Sequence, residues 1–447
     1  MASMKLLHVA SLAVAMSIAL NGSAQTYSEK IEQNPDRAGG VYHYYEYVPT
    51  QMSKAPKGYK PFYISHYGRH GSRYHSSARM FEGAKKVLER AEEAGILTDE
   101  GMLLKRQVDT LWNEHLGMFG MLTERGAAEH KGIASRMFEN YPEVFEGKND
   151  RSDVECVSSY WPRCLVSMAN CTSVLQSKSD KLRFHYVTGP KYLNYISMDL
   201  DTKEVSMEAD SLCHEMRDRT IDCDRFMKAL FTDQEKAAET VENPQDFMEQ
   251  TFLAGSISGC TISHPGIFSH FTVEELTAEA QQRDARLYYV FGISKERGDY
   301  EASIAKPLIE DFIAKADDAV KEGSTRAADL RFGHDVGLLP LIGTINIKGM
   351  EERWSFDEIK SHWTGFEMIP MGSNIQIVFY RNSRNDVIVK ILYNDRETSI
   401  PALTAMDGPF YRWDDLRSLM VEKADAIPDN YIVKDDANKE RTGVSGM

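Results

Sequence analysis

Apolar and polar positions along the 447-residue chain switch between two periods, and each switch marks a strand giving way to a helix. The run PFYISHYG (61–68) is almost continuously apolar or aromatic, the pattern of a strand buried on both faces. After it, SSARMFEGAKKVLERAEEAG sets Met80, Phe81, Ala84, Val87, Leu88 and Ala91 at helical spacing, with Ser77 as N-cap and Gly95 as stop. A second helix is predicted through Leu103, Leu104, Val108, Leu111 and Trp112. A third follows MLTERG, with Ile133, Ala134, Met137 and Phe138 on its apolar side. Val154, Cys156 and Ser158 alternate as in a strand, and Pro162 then opens a helix at its first position. From about residue 195 to 320 the pattern is polar and helical with little β signal. The sheet resumes at Leu330 and Phe332, Val336 to Ile342 reads as an apolar helix broken by Pro340, and SNIQIVFYRNSRNDVIVKILYN reads as a hairpin.

These elements predict an α/β core formed by residues 25–190 and 321–430, a helical insertion over 191–320, and a polar, frayed tail over 431–447. Lys5, the apolar stretch Leu6 to Leu20 and the small residues Gly22-Ser23-Ala24 form the pattern of a signal peptide (1–24) cleaved after Ala24. Export to the periplasm or beyond is therefore expected. No cysteine follows the cut and no later segment is apolar for long enough to span a bilayer, so no stable membrane anchor is expected. A net charge of -15 argues against nucleic acid as the main partner. In an oxidising compartment the six cysteines permit disulfides, whose pairing stays open, and none has zinc spacing. The oligomeric state is not legible.

One loop departs from this acidic background. YGRHGSRYHSS crowds Arg69, His70 and Arg73 around two glycines at the end of the first strand, and like charges so close call for an anion among them. Arg163 lies at a second strand-to-helix junction, and His334 and Asp335 lie at a third. Strand ends of one sheet can converge, and three guanidiniums, two imidazoles and one carboxylate suit a phosphoryl group. His70 can attack phosphorus, Arg69, Arg73, Arg163 and His334 can hold its oxygens, and Asp335 can protonate the leaving oxygen. Metal ligation by His66, His70 and His75 is disfavoured, since HExxH is absent and Gly68 and Gly71 oppose the helix it requires. GRHGSR is not a nucleotide phosphate loop either, so no metal or cofactor is expected.

YGRHGSRYHSS resembles the RHGxRxH signature of the histidine acid phosphatases, the large branch of the histidine phosphatase superfamily that includes phytases. LTERG (122–126), Arg163 in SSYWPRCLVSM and FGHDVGLLPL are similar to that family's further motifs, in family order from about Tyr63 to Tyr380. The resemblance implies a histidine phosphatase fold, a central mostly parallel sheet flanked by helices with an inserted helical domain. It also implies a metal-independent phosphomonoesterase with a phosphohistidine on His70, phosphate ligands Arg69, Arg73, Arg163 and His334, and the proton donor Asp335. FGHDVGLLPL and SNIQIVFYR look most like secreted multiple inositol polyphosphate phosphatases, which implies a small phosphorylated substrate such as phytate. That branch commonly carries His-Ala-Glu where this chain has His334-Asp335-Val336, so a broad-specificity acid phosphatase is the alternative. A phosphate-ligand binding protein without turnover ranks after it. Further cations for a polyphosphorylated ring would come from His75, Arg79, Lys85, Lys86, Lys191, Arg217 or Arg219.

Overall fold

Strand β1 (Lys60–Arg69) is buried from Pro61 onward and organises the sheet around it. The computed structural model describes residues 25–147, 150–196 and 203–428; the expected signal peptide and the 431–447 tail lie outside the described residues. Seven further strands join β1: β2 (Asp153–Ser158), β3 (Arg183–Thr188), β4 (Arg326–Gly333), β5 (Asn374–Arg381), β6 (Val387–Tyr393), β7 (Arg396–Thr398) and β8 (Phe410–Arg412). Their order is β3-β2-β4-β1-β5-β6-β7, with β8 on β6. β3, β2, β4 and β1 are mutually parallel, whereas β5 to β8 pair antiparallel. The parallel part brings the carboxyl ends of β1, β2 and β4 side by side on one edge of the sheet.

Side-chain alternation in β1 feeds both faces. Tyr63 and Tyr67 join a core with helices Val273–Phe291, Gly298–Ala319, Asp335–Thr344 and Trp413–Asp425, while Ile64 faces a second core under helices Glu124–Asn140 and Pro162–Lys178. A third apolar cluster is mainly helical: Glu82–Glu93 and Asp99–His115 pack there with Phe226, Phe247, Phe252 and Phe268. The 203–319 segment is helical throughout its regular structure, as its pattern predicts.

Several local expectations change. Ser77 makes no capping bond to a long helix; it precedes a 3-10 turn at Ala78–Met80, and the helix proper is Glu82–Glu93, stopped near Gly95 at φ +66°. Pro340 does not break its helix, because residues 337–344 are all buried and the surrounding core holds the chain across the missing hydrogen bond. β3 was not expected: it is an edge strand with mostly exposed residues, so no strong apolar signal marks it. The helix Tyr27–Gln33, with its Thr26/Glu29 capping box, is likewise new. All six cysteines are free thiols, and five are buried.

Candidate active site

β1 ends at Arg69, β2 ends four residues before Pro162 opens a helix, and β4 ends where His334 caps the next helix. The three junctions predicted from sequence therefore meet at one edge. Arg69 Nη2 pairs with Asp335 Oδ2 at 3.0 Å, the His70 and His334 rings stand 5.5 Å apart, and Arg163 Nη2 is 3.5 Å from His334 Nδ1. Arg73 completes the group, held by a donation to the Tyr74 carbonyl and by the Tyr42 ring.

The loop 70–73 is fixed by close backbone approach. A Cβ on Gly71 would stand 2.5 Å from the Gly126 carbonyl oxygen, and one on Gly126 would stand 2.2 Å from the Ser72 carbonyl oxygen. Only glycine at both positions lets the loop touch the start of helix Glu124–Asn140. Thr123 donates its hydroxyl to the same Ser72 carbonyl at 3.0 Å and accepts from Gly126 N–H, so LTERG caps its helix and grips the loop together. The loop is gripped again by Glu129, whose carboxyl accepts from Ser72 N–H at 2.7 Å, from Ser72 Oγ at 2.6 Å and from Tyr45 N–H at 3.0 Å. Burial raises the pKa of Glu129, while these donors oppose the rise.

His70 Nδ1 lies 2.9 Å from the Gly71 carbonyl oxygen. A carbonyl can only accept, so Nδ1 carries the proton and Nε2 keeps its lone pair. Burial, then Arg69, Arg163, Arg73 and His334, hold the His70 pKa well below the usual imidazole range. His334 is lowered to about 3, by burial first and by Arg163 next. Its Nε2 is 3.0 Å from Ser159 Oγ and 3.5 Å from Cys164 Sγ, and its backbone N–H donates to Tyr67 Oη at 3.1 Å. For Asp335, burial pulls the pKa upward, but Arg69, His334 and Arg73 together leave it below the ordinary carboxylate value.

Arg69 is fully buried, and two carbonyl oxygens, of Val41 and Ile369, each take its Nη1 at 2.7 Å. This fixes the guanidinium without neutralising it. The Nε atoms of Arg69, Arg73 and Arg163 are buried with no hydrogen-bond partner. Buried donors without acceptors are costly, and these three belong to the arginines whose charges act on His70, an arrangement that suits an anion.

The structure brings together all six predicted site residues. The supporting residues Tyr67, Glu129, Ser159 and Cys164 were not singled out; Glu129 follows Gly126 by three positions on the same helix, which is the one sequence signal available. The additional cations behave differently. His75 is buried, its Nε2 is 2.7 Å from the Leu253 carbonyl, and burial keeps it neutral, so it is no cationic ligand. Lys85 pairs with Glu89, Lys86 with Glu82, Arg219 with Asp357, and Arg217 with Glu249 and Glu279. Arg79 and Lys191 remain exposed, Lys191 over the Tyr192 ring.

An α/β sheet with buried arginines and a lone-pair imidazole at the carboxyl edge of its parallel strands defines a phosphoryl-handling protein. The chain belongs to the histidine phosphatase superfamily (branch 2), whose defining pattern matches residues 68–394. That membership supports a phosphatase hydrolase. The fold is also that of solved structures of low identity. The multiple inositol polyphosphate phosphatase of Bifidobacterium longum, in complex with inositol hexasulfate, aligns at a TM-score of 0.69 and 18% identity over 89% of this chain and 100% of its own. The phytase of D. castellii aligns at 0.64 and 15%, over 92% of each chain. The phytase of Klebsiella sp ASR1 aligns at 0.51 and 11%, over 84% of this chain and 100% of its own. No curated protein matches the sequence.

Proposed function

We propose that this protein is an exported, metal-independent phosphomonoesterase that hydrolyses inositol polyphosphates such as phytate through a phosphohistidine. The observation that carries the reading is the set of unpartnered guanidinium N–H groups of Arg69, Arg73 and Arg163, three arginines whose charges all act on His70. In this mechanism the three arginines and His334 bind the phosphoryl oxygens and offset their charge. Nε2 of His70 attacks phosphorus, the ester P–O bond breaks, and Asp335 gives its proton to the departing oxygen. Water, deprotonated by the Asp335 carboxylate, then attacks the phosphohistidine; the P–N bond breaks and its electron pair returns to Nε2. The inositol assignment draws on the family and on the solved relatives, one of which holds inositol hexasulfate.

A second reading, a phosphatase of small esters, is favoured by one observation: Lys85, Lys86, Arg217 and Arg219 are committed to carboxylates, which leaves fewer cations for a polyphosphorylated ring. Phosphate release from phytate and from p-nitrophenyl phosphate in EDTA, beside His70→Ala, separates the two. Release from phytate that vanishes in the variant is the expected result. Activity on the small ester alone moves the substrate to the second reading, and no release from either substrate overturns both.

A further inference from the structure

Roughly 30 Å from His70, at the amino-terminal end of β1, a second group of cations surrounds a cavity of about 510 Å³. Lys60, Phe62, Arg151 and Arg381 line it. The guanidinium carbons of Arg151 and Arg381 lie 4.7 and 4.4 Å from the centre of the Phe62 ring. Arg151 is only 5% exposed and donates to the Arg326 carbonyl at 2.8 Å; Arg381 donates to the Val320 carbonyl, and its Nε is buried without a partner. Both are therefore anchored through neutral carbonyl oxygens, and among the described residues neither is ion-paired to a carboxylate.

A buried cation and a half-buried one against one ring repel each other, and proteins ordinarily resolve such a pair with a carboxylate or a bound anion. Burial first, and the nearby Arg381 second, lower the pKa of Arg151 to about 10. Glu322 and Asp150 also line the cavity, but Glu322 reaches Arg381 only through its field. With Lys60 the three cations exceed the two carboxylates by one charge, which suits a monoanion or dianion better than a polyanion. Ser324, Thr325 and Asn382 on the wall add neutral hydrogen-bonding groups. We infer that this cavity is a second anion site, separate from His70, that takes a small oxyanion bearing a phosphate or carboxylate group between Arg151 and Arg381.

Calorimetric titration of the full chain with inorganic phosphate and, separately, with succinate tests the site against Arg381→Gln, Arg381→Lys and Lys60→Gln. The wild type should bind one more anion per chain than Arg381→Gln, or bind it about tenfold more tightly, with Arg381→Lys intermediate. Turnover of p-nitrophenyl phosphate should be the same in all four proteins. A difference with phosphate alone identifies a phosphate group, a difference with succinate alone identifies a carboxylate, and a difference with both identifies a site for either oxyanion. Should Arg381→Gln fail to fold, Lys60→Gln, altered at an exposed residue, carries the comparison. Isotherms identical to wild type for both anions overturn the inference.

Discussion

Asp335 is held ionised in the resting site, because Arg69, His334 and Arg73 outweigh the upward pull of burial. A donor of protons must first hold one, so its acid form grows as pH falls, and a bound phosphoryl dianion that shares Arg69 shifts its pKa upward. His70 is depressed well below the usual imidazole value and keeps its lone pair in the same range. The rate should therefore rise from neutral into acidic pH, as a pH profile of kcat/KM will show. Asp335→Asn removes the proton and should slow alkyl phosphates by about 10²- to 10⁴-fold. In single-turnover measurements it should slow release of p-nitrophenolate much less, because that group leaves without protonation, whereas hydrolysis of the phosphohistidine, which uses the Asp335 carboxylate, slows for both substrates; equal losses in the release step would contradict the assignment. The six central residues were legible because cationic and acidic types gather at strand ends. Glu129, Ser159 and Tyr67 were not, because their value lies in contacts that only the folded chain creates.

At the scale of elements, helix Glu124–Asn140 is as much part of the site as β1. Gly126→Ala would drive a Cβ into the Ser72 carbonyl, which no side-chain rotation can relieve, so we expect a loss of about 1–3 kcal/mol in stability together with a large fall in kcat. Gly132→Ala on the same helix meets the guanidinium of Arg136, which Asp395 holds by two hydrogen bonds, so it should cost about 1 kcal/mol of stability with kcat retained. Thermal melts and kcat of the two variants provide the check; similar behaviour of both would remove the role given to the glycine contact. Amphipathic helices such as Asp99–His115 were legible from apolar spacing alone. Helix Asp335–Thr344 was misread at Pro340 and β3 was missed, since in one case tertiary burial overrides a local rule and in the other an exposed edge offers little pattern to read.

Across the whole molecule two sets of buried groups oppose each other in acid. His66 and His334 are lowered to about 3, and His115 and His130 to about 4, chiefly by burial, so each loses stability as pH falls below about 6.5. Asp284, raised to about 7, and Glu301, raised to about 8, again chiefly by burial, gain stability over that same descent until their unfolded values near 4 are reached. Glu129, Glu279 and Asp329 are shifted upward as well. His70, His75 and His270 are lowered as well, so the two sets offset each other only in part: Tm should decline modestly between pH 6.5 and 4.5 and fall steeply only below about 4. Melts at several pH values test this, and a steady large decline from pH 6.5 would show that the imidazoles dominate. The Arg69 clamp joins distant parts of the chain: the guanidinium is gripped by Val41 on one side and Ile369 on the other. The stretch before β1 is thus a working component of the catalytic edge. Trimming the protein back to its first strand would keep every signature residue yet leave Arg69 held by Ile369 and Asp335 alone, so a chain begun at β1 should turn over its substrate more slowly than the full chain.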